Sequence, residues 1–293
     1  MAIPFLTGGF GNRWTWQHGI LAFLWLSGYF CFAAFDLWMS ERRKNYSKAR
    51  LPFCIWFTAT VIAGLWILYI APQLLCWLVL FTPVAFISLQ QTIVKNARSL
   101  LARSSEVIAA GLMCVVAWHL SVLAENQKLG WSASLNPLNF SEFNLAEWTN
   151  SIPSAAIETT VFITAYFWST IPFVKSLMRE RNSRFYHALS ALSHGIFLIA
   201  AIVLTIIGKT SLTFAVFWLI LILRACLFTQ LSTAIFQPHT KQQLSFPAGH
   251  AFGHRRIISR PEWLNGKTLL ITVGITETVL SVIYMLIVLT SLR

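Results

Sequence analysis

The chain has 293 residues, of which 56% are hydrophobic and 11% are charged. A soluble domain has about a quarter of its residues charged, so this composition excludes an ordinary water-soluble fold and indicates a membrane protein. The net charge of +12 does not indicate a nucleic-acid partner, because the basic residues stand in short loops between apolar runs rather than on one face.

Eight apolar segments are long enough to cross a bilayer, which takes about 20 mostly apolar residues in a helix. The runs are continuous rather than alternating, which favours helices over the strands of a membrane barrel. The sequence therefore predicts an all-α, polytopic bundle of about eight transmembrane helices, forming a single membrane domain over residues 1–293. In chain order the predicted spans are residues 16–39, 52–70, 73–94, 106–124, 154–173, 188–207, 211–235 and 268–290.

Lysine and arginine are concentrated in alternate connections between these spans. Because Lys and Arg near span ends are retained on the cytoplasmic side, the pattern predicts a protein of the bacterial inner (cytoplasmic) membrane, or an equivalent one, with both termini outside. Contacts between the basic loops and anionic membrane lipids are expected as well. The basic connections carry Arg42, Arg43, Lys44, Lys48, Arg50, Lys95, Arg98, Arg103, Lys175, Arg179, Arg181, Arg184, Lys241, Arg255, Arg256, Arg260 and Lys267. The alternate connections and the tail carry Arg13, Lys128, Lys209 and Arg293.

Two connections are long. Residues 125–152, predicted outside, mix Asn and Ser with aromatic residues, which fits either an amphipathic cap over the outer face or a flexible loop. Residues 236–267, predicted inside, hold several histidines and arginines, and their proline and glycines indicate irregular backbone.

An oppositely charged pair lies deep in the last two spans. Ionisable residues within spans are costly, so each is a functional candidate. Arg224 and Glu277 lie about 11 and about 9 residues from the inner ends of spans seven and eight, so at 1.5 Å per residue their depths differ by about 3 Å. The sequence predicts a buried ion pair, which either locks two helices together or forms a midplane site for a substrate or proton.

Two histidines and a glutamate lie near the outer face. His18, His119 and Glu158 have similar predicted depths, so they could bind a metal, or the two histidines could ligate a haem. A lone membrane histidine more often hydrogen-bonds a neighbouring helix, and the sequence does not place these spans side by side. We therefore expect no cofactor, and keep haem or metal as the alternative.

A basic group is predicted at the inner face. Guanidinium groups bind phosphate and carboxylate with two parallel hydrogen bonds, so such a group could hold the head of an amphipathic ligand. The alternative is topogenic charge that only contacts lipid head groups. The candidate ligand-binding residues are Arg179, Arg181, Arg184, His187, His194 and Asp36, the only aspartate in the chain.

Three short motifs resemble those of the YwiC-like membrane proteins. Gln17-His18-Gly19 is similar to that family's N-terminal Q-H-G signature, although Ile20 and Leu21 stand where the family often has Ala-Trp. Residues 174–182, VKSLMRERN, followed by His187, resemble its central motif, and the final span with Gly274 and Glu277 resembles its closing helix. The resemblance implies a multi-span membrane fold and brings no established activity.

A weaker, fold-level similarity is to the UbiA-type prenyltransferases, which are helical bundles with two aspartate-rich inner loops. The basic loops 40–51 and 175–187 fall in comparable places, but Asp36 stands alone there, and Mg²⁺-diphosphate binding needs several carboxylate oxygens. The leading hypothesis is therefore non-catalytic: binding or handling of a lipid, isoprenoid or quinone head group at the inner face, or assistance to a membrane complex. The alternatives are a prenyltransferase-like enzyme lacking the usual metal motifs, and a small-solute transporter.

Overall fold

The structure is a computed structural model that describes residues 2–40, 46–96, 98–126, 145–178, 183–236 and 266–291. Within these ranges the regular structure is helical, without strands. The elements are α1 (Ala2–Gly11), α2 (Gln17–Ser40), α3 (Tyr46–Ile70), a 3₁₀ helix (Pro72–Trp77), α4 (Leu78–Ile93), α5 (Leu100–Glu125), α6 (Leu145–Asn150), α7 (Ser154–Met178), α8 (Arg184–Ile206), α9 (Leu212–Phe236) and α10 (Gly266–Ser291).

The long helices confirm the predicted all-α, polytopic membrane bundle. In the described part of the chain, six segments are long and apolar enough to cross a membrane: residues 17–39, 50–70, 72–93, 100–125, 184–206 and 271–291. The helices α7 and α9 take the places of the fifth and seventh predicted spans, and each has 25 residues. The chain is therefore a multi-pass membrane protein.

The helix α5 is the axis of the bundle. It packs against α1, α4 and α7, and much of its buried surface consists of small residues such as Ala110, Gly111 and Cys114. In lipid, helices associate through close packing rather than through a hydrophobic driving force, so small residues favour contact. A side chain at Gly111 would collide with Thr164 of α7, which shows how closely these two helices approach.

The two faces of the bundle follow from the antiparallel packing of α5 and α7. Gly111 lies against Thr164, and Trp168 Nε1 donates to Ser104 Oγ at 3.0 Å. This register places the end of α5 and the start of α7 together on one side, which we call the Glu125 face. The start of α5, the end of α7 and the start of α8 lie on the opposite side, the Arg184 face.

The short helix α1 was not predicted, because its ten residues span only about 15 Å and fall below the length of a membrane span. It inserts beside α5 and runs parallel to it. A side chain at Gly8 would collide with the backbone oxygen of Cys114, and one at Gly11 with the ring of Trp118. These glycines, which sequence reasoning left without a role, thus permit the close approach of α1 to α5.

Candidate functional site

A cavity of about 680 Å³ lies between α2, α4 and α5. The α2–α3 hairpin packs tightly within itself and only lightly against α4 and α5, which leaves this cleft between them. Its walls are mainly apolar and aromatic, including Trp25, Phe32 and Phe81. Tyr29 and Phe86 also line the cleft and are exposed on the bundle surface, so it opens toward lipid.

The charged groups of the cleft are confined to the Arg184 face. Asp36, Arg103 and Glu106 line that end, and Arg103 Nη1 lies 2.6 Å from Glu106 Oε2. Asp36 forms no ion pair with any residue that the structure describes. Along α2 the lining runs from Trp25 to Asp36, which is about 16 Å of helix and about half of a 30 Å hydrocarbon core.

A second site lies in the middle of the other half of the bundle. Arg224 Nη1 of α9 lies 2.5 Å from Glu277 Oε1 of α10, and the two side chains are 11% and 18% exposed. The Tyr166 hydroxyl donates to Glu277 Oε2 at 3.3 Å. The Arg224 guanidinium also stacks over the Phe173 ring, 4.4 Å from its centroid. The structure thus brings together the two residues of the predicted ion pair and adds two aromatic partners from α7.

The predicted inner head-group set is divided by the structure. Arg184 begins α8 and is exposed, whereas His194 is fully buried two to three turns further along, between the rings of Phe173 and Trp218. Asp36 belongs to the other half of the bundle, where it lines the cleft. Arg179 and Arg181 lie outside the described residues. The described residues also exclude two parts of the basic loops, namely residues 41–45 and 237–265.

His18 anchors the start of α2 to α5. The Ala117 carbonyl oxygen, 2.9 Å from Nε2, can only accept, so Nε2 carries the proton. On the other ring nitrogen, Nδ1 accepts from the Thr15 backbone N–H at 3.1 Å. Trp14 stacks on the ring at 5.0 Å. Both nitrogens of His18 are therefore engaged within the protein.

His119 serves a second network at the same face, on the opposite side of α5. Trp77 Nε1 donates to His119 Nδ1 at 3.1 Å, so the ring proton sits on Nε2, which donates to Ser151 Oγ at 3.0 Å. Glu158, in turn, lies 4.0 Å from Lys209. The three residues of the predicted outer group are therefore not brought together, and the described residues contain no His, Cys, Asp or Glu cluster for a metal.

The fold and these sites define a polytopic, all-α membrane protein with a lipid-facing cleft and a buried ion pair. Residues 1–118 match the YwiC-like protein family, which confirms the resemblance carried by Gln17-His18-Gly19. The other two motifs lie beyond the matched residues. No curated protein and no solved structure matches the chain.

Sequence reasoning missed the cleft and most of its lining. Arg103 was interpreted only as topogenic charge, and Glu106 at the start of the fourth span was not considered. Their three-residue spacing, which pairs them on one side of a helix, was a usable signal. The aromatic walls gave none, because aromatic residues in a span are as easily lipid-facing as cavity-lining.

Proposed function

We propose that the protein binds an amphipathic membrane lipid, an isoprenoid or a quinone, without transforming it, in the cleft between α2, α4 and α5. The observation that carries this proposal is the distribution of polarity in the cleft: apolar walls about one leaflet deep, with the charged groups Asp36, Arg103 and Glu106 at one end. A molecule with one polar head and an apolar tail fits both parts.

The charges favour a head group that donates hydrogen bonds. Arg103 and Glu106 neutralise one another, whereas the Asp36 carboxylate, which has no ion-pair partner among the described residues, would accept hydrogen bonds from a hydroxyl or ammonium group. Arg184 and His187 begin α8 in the other half of the bundle, so we propose that they, with Arg179 and Arg181, which lie outside the described residues, contact lipid head groups outside the cleft. By the positive-inside rule, we place the Arg184 face toward the cytoplasm and the protein in the inner membrane, where it would hold the ligand itself or present it to a membrane complex.

The test is native mass spectrometry of the protein purified in nanodiscs made from its host lipids. Ala85→Trp fills the cleft from α4, and Ala188→Trp adds the same ring to an exposed position on α8 as a matched control. We expect a co-purifying lipid or quinone on the wild type and on A188W, and its loss from A85W. Equal retention by both variants would contradict the proposal.

An enzymatic alternative rests on the presence of two carboxylates, Asp36 and Glu106, at the same end of the cleft. A prenyltransferase-like reaction would transfer the prenyl group of a prenyl diphosphate to an acceptor nucleophile, which loses a proton, and would release diphosphate in the presence of Mg²⁺. Release that is abolished by D36N would favour this enzyme over simple binding.

A transport alternative rests on the buried Arg224–Glu277 pair, which is typical of midplane sites that bind a small solute. Uptake of a small solute into proteoliposomes that is lost in E277Q but retained in A85W would favour transport.

A further inference from the structure

His194 has one ring nitrogen with a fixed partner and one without. Its Nδ1 lies 2.7 Å from the Ser190 carbonyl oxygen, which can only accept, so Nδ1 carries the proton of the neutral ring. Nε2 is then an acceptor, and it is buried without a hydrogen-bond partner among the residues described. Buried polar atoms are almost always paired, if not by protein then by ordered water.

Two more buried polar atoms without a hydrogen-bond partner among the described residues lie along α8. They are Nε2 of His187 and Oγ of Ser190. Positions 187, 190 and 194 follow the three- and four-residue spacing that places them on one side of a helix. From His187, near the start of α8, the row reaches about 10 Å into the bundle.

The row ends beside the buried ion pair. Phe173 is the shared neighbour: its ring centroid lies 6.3 Å from that of His194 and 4.4 Å from the Arg224 guanidinium carbon. Arg224 Nε and Nη2 are buried donors without an acceptor in the described part of the chain. Unpaired donors of Arg224 and the unpaired acceptor Nε2 of His194 therefore both lie beside Phe173. Water can both donate and accept a hydrogen bond, so it can satisfy both groups.

We propose that His187, Ser190 and His194 line a hydrated path that admits water and protons from the Arg184 face to the Arg224–Glu277 pair. The charged and titratable groups around its inner end are Arg224 of α9, Glu277 of α10 and Tyr166 of α7, and Lys175 of α7 lies at its mouth, 5.1 Å from the ring centroid of Tyr186. Chains of ionisable groups inside membrane bundles mark such routes. The path is separate from the lipid cleft, so it does not depend on the function proposed above.

Hydrogen–deuterium exchange at the imidazole Cε1 position tests the path, because it reports solvent access to each histidine of the intact, detergent-solubilised protein. Mass spectrometry with fragmentation separates His194 from His187. His119 is the internal reference: it is equally buried but has partners on both nitrogens. We expect His194 to exchange at least about tenfold faster than His119, for which exchange requires local opening.

Two buried serines on α8 provide a matched pair of variants. Ser190→Val narrows the path and should slow exchange at His194 toward the rate of His119. Ser193→Val changes a serine that donates to the Ser190 carbonyl oxygen within the helix, and should leave that exchange unchanged. If S190V misfolds, exchange at His119 will become faster as well. His187→Phe, which blocks the mouth of the path, is then the substitute variant and should slow exchange at His194. Exchange at His194 no faster than at His119 in the wild type, or equal slowing by both serine variants, would overturn the proposal.

Discussion

Removing one member of the Arg224–Glu277 pair leaves the other charge in a mostly apolar interior. Breaking a fully buried ion pair costs about 3–5 kcal/mol in soluble proteins, whereas single polar contacts between membrane helices average about 0.6 kcal/mol. Both side chains retain a little exposure, 11% and 18%. We therefore expect E277Q and R224M each to lower the free energy of unfolding by about 2 kcal/mol.

A double-mutant cycle measures the interaction itself. Because R224M/E277Q contains no unpaired charge, it should be less destabilised than the sum of the single variants, with a coupling free energy of about 2 kcal/mol. The assay is equilibrium unfolding in mixed micelles titrated with sodium dodecyl sulfate and followed by tryptophan fluorescence. The exposed Lys209–Glu158 pair, at 4.0 Å, is the control, and E158Q should cost less than about 0.5 kcal/mol.

A coupling free energy below about 0.5 kcal/mol, the size expected of independent sites, would contradict a buried, interacting pair. Equal destabilisation by E277Q and E158Q would contradict it as well. Either result would mean that the detergent-embedded protein solvates Arg224 and Glu277 separately, and the two helices would then be held by packing alone.

Two further predictions concern packing at the Glu125 face. Gly8→Ala forces α1 away from the backbone of α5 and should destabilise the protein by about 1–3 kcal/mol. Gly19→Ala, where open space surrounds the added Cβ, should have little effect. Thermal denaturation in detergent compares the two variants. Trp77→Phe leaves the buried acceptor Nδ1 of His119 without its donor and should cost about 1–3 kcal/mol. Trp66→Phe, on the exposed side of α3, should not shift the midpoint of thermal denaturation. Equal shifts in the two variants would contradict this role of the indole N–H.

The sequence was informative where the bilayer imposes a strong constraint. Length and hydropathy located the long helices, because each must satisfy its own backbone hydrogen bonds in lipid. Depth arithmetic brought Arg224 and Glu277 to the same level, but the partners Tyr166 and Phe173 depend on which helix faces which. That lateral arrangement is set by packing between small residues of α5 and its neighbours, and it leaves no periodic signal strong enough to read in apolar segments. Because the sequence does not show which helices are adjacent, His18 and His119 were predicted as candidates for one site, although they lie on opposite sides of α5.

The insertion of α1 beside α5 has a consequence for biogenesis. His18 and its acceptor Ala117 are 99 residues apart in sequence, so the contacts that hold the first turn of α2, and α1 with it, cannot form until α5 has entered the membrane. Until then the ten mostly apolar residues of α1, which are too few to cross the membrane, remain at the lipid–water interface. Ribosome-bound chains halted before residue 100 should therefore leave α1 accessible to protease, and chains long enough to include α5 should shield it.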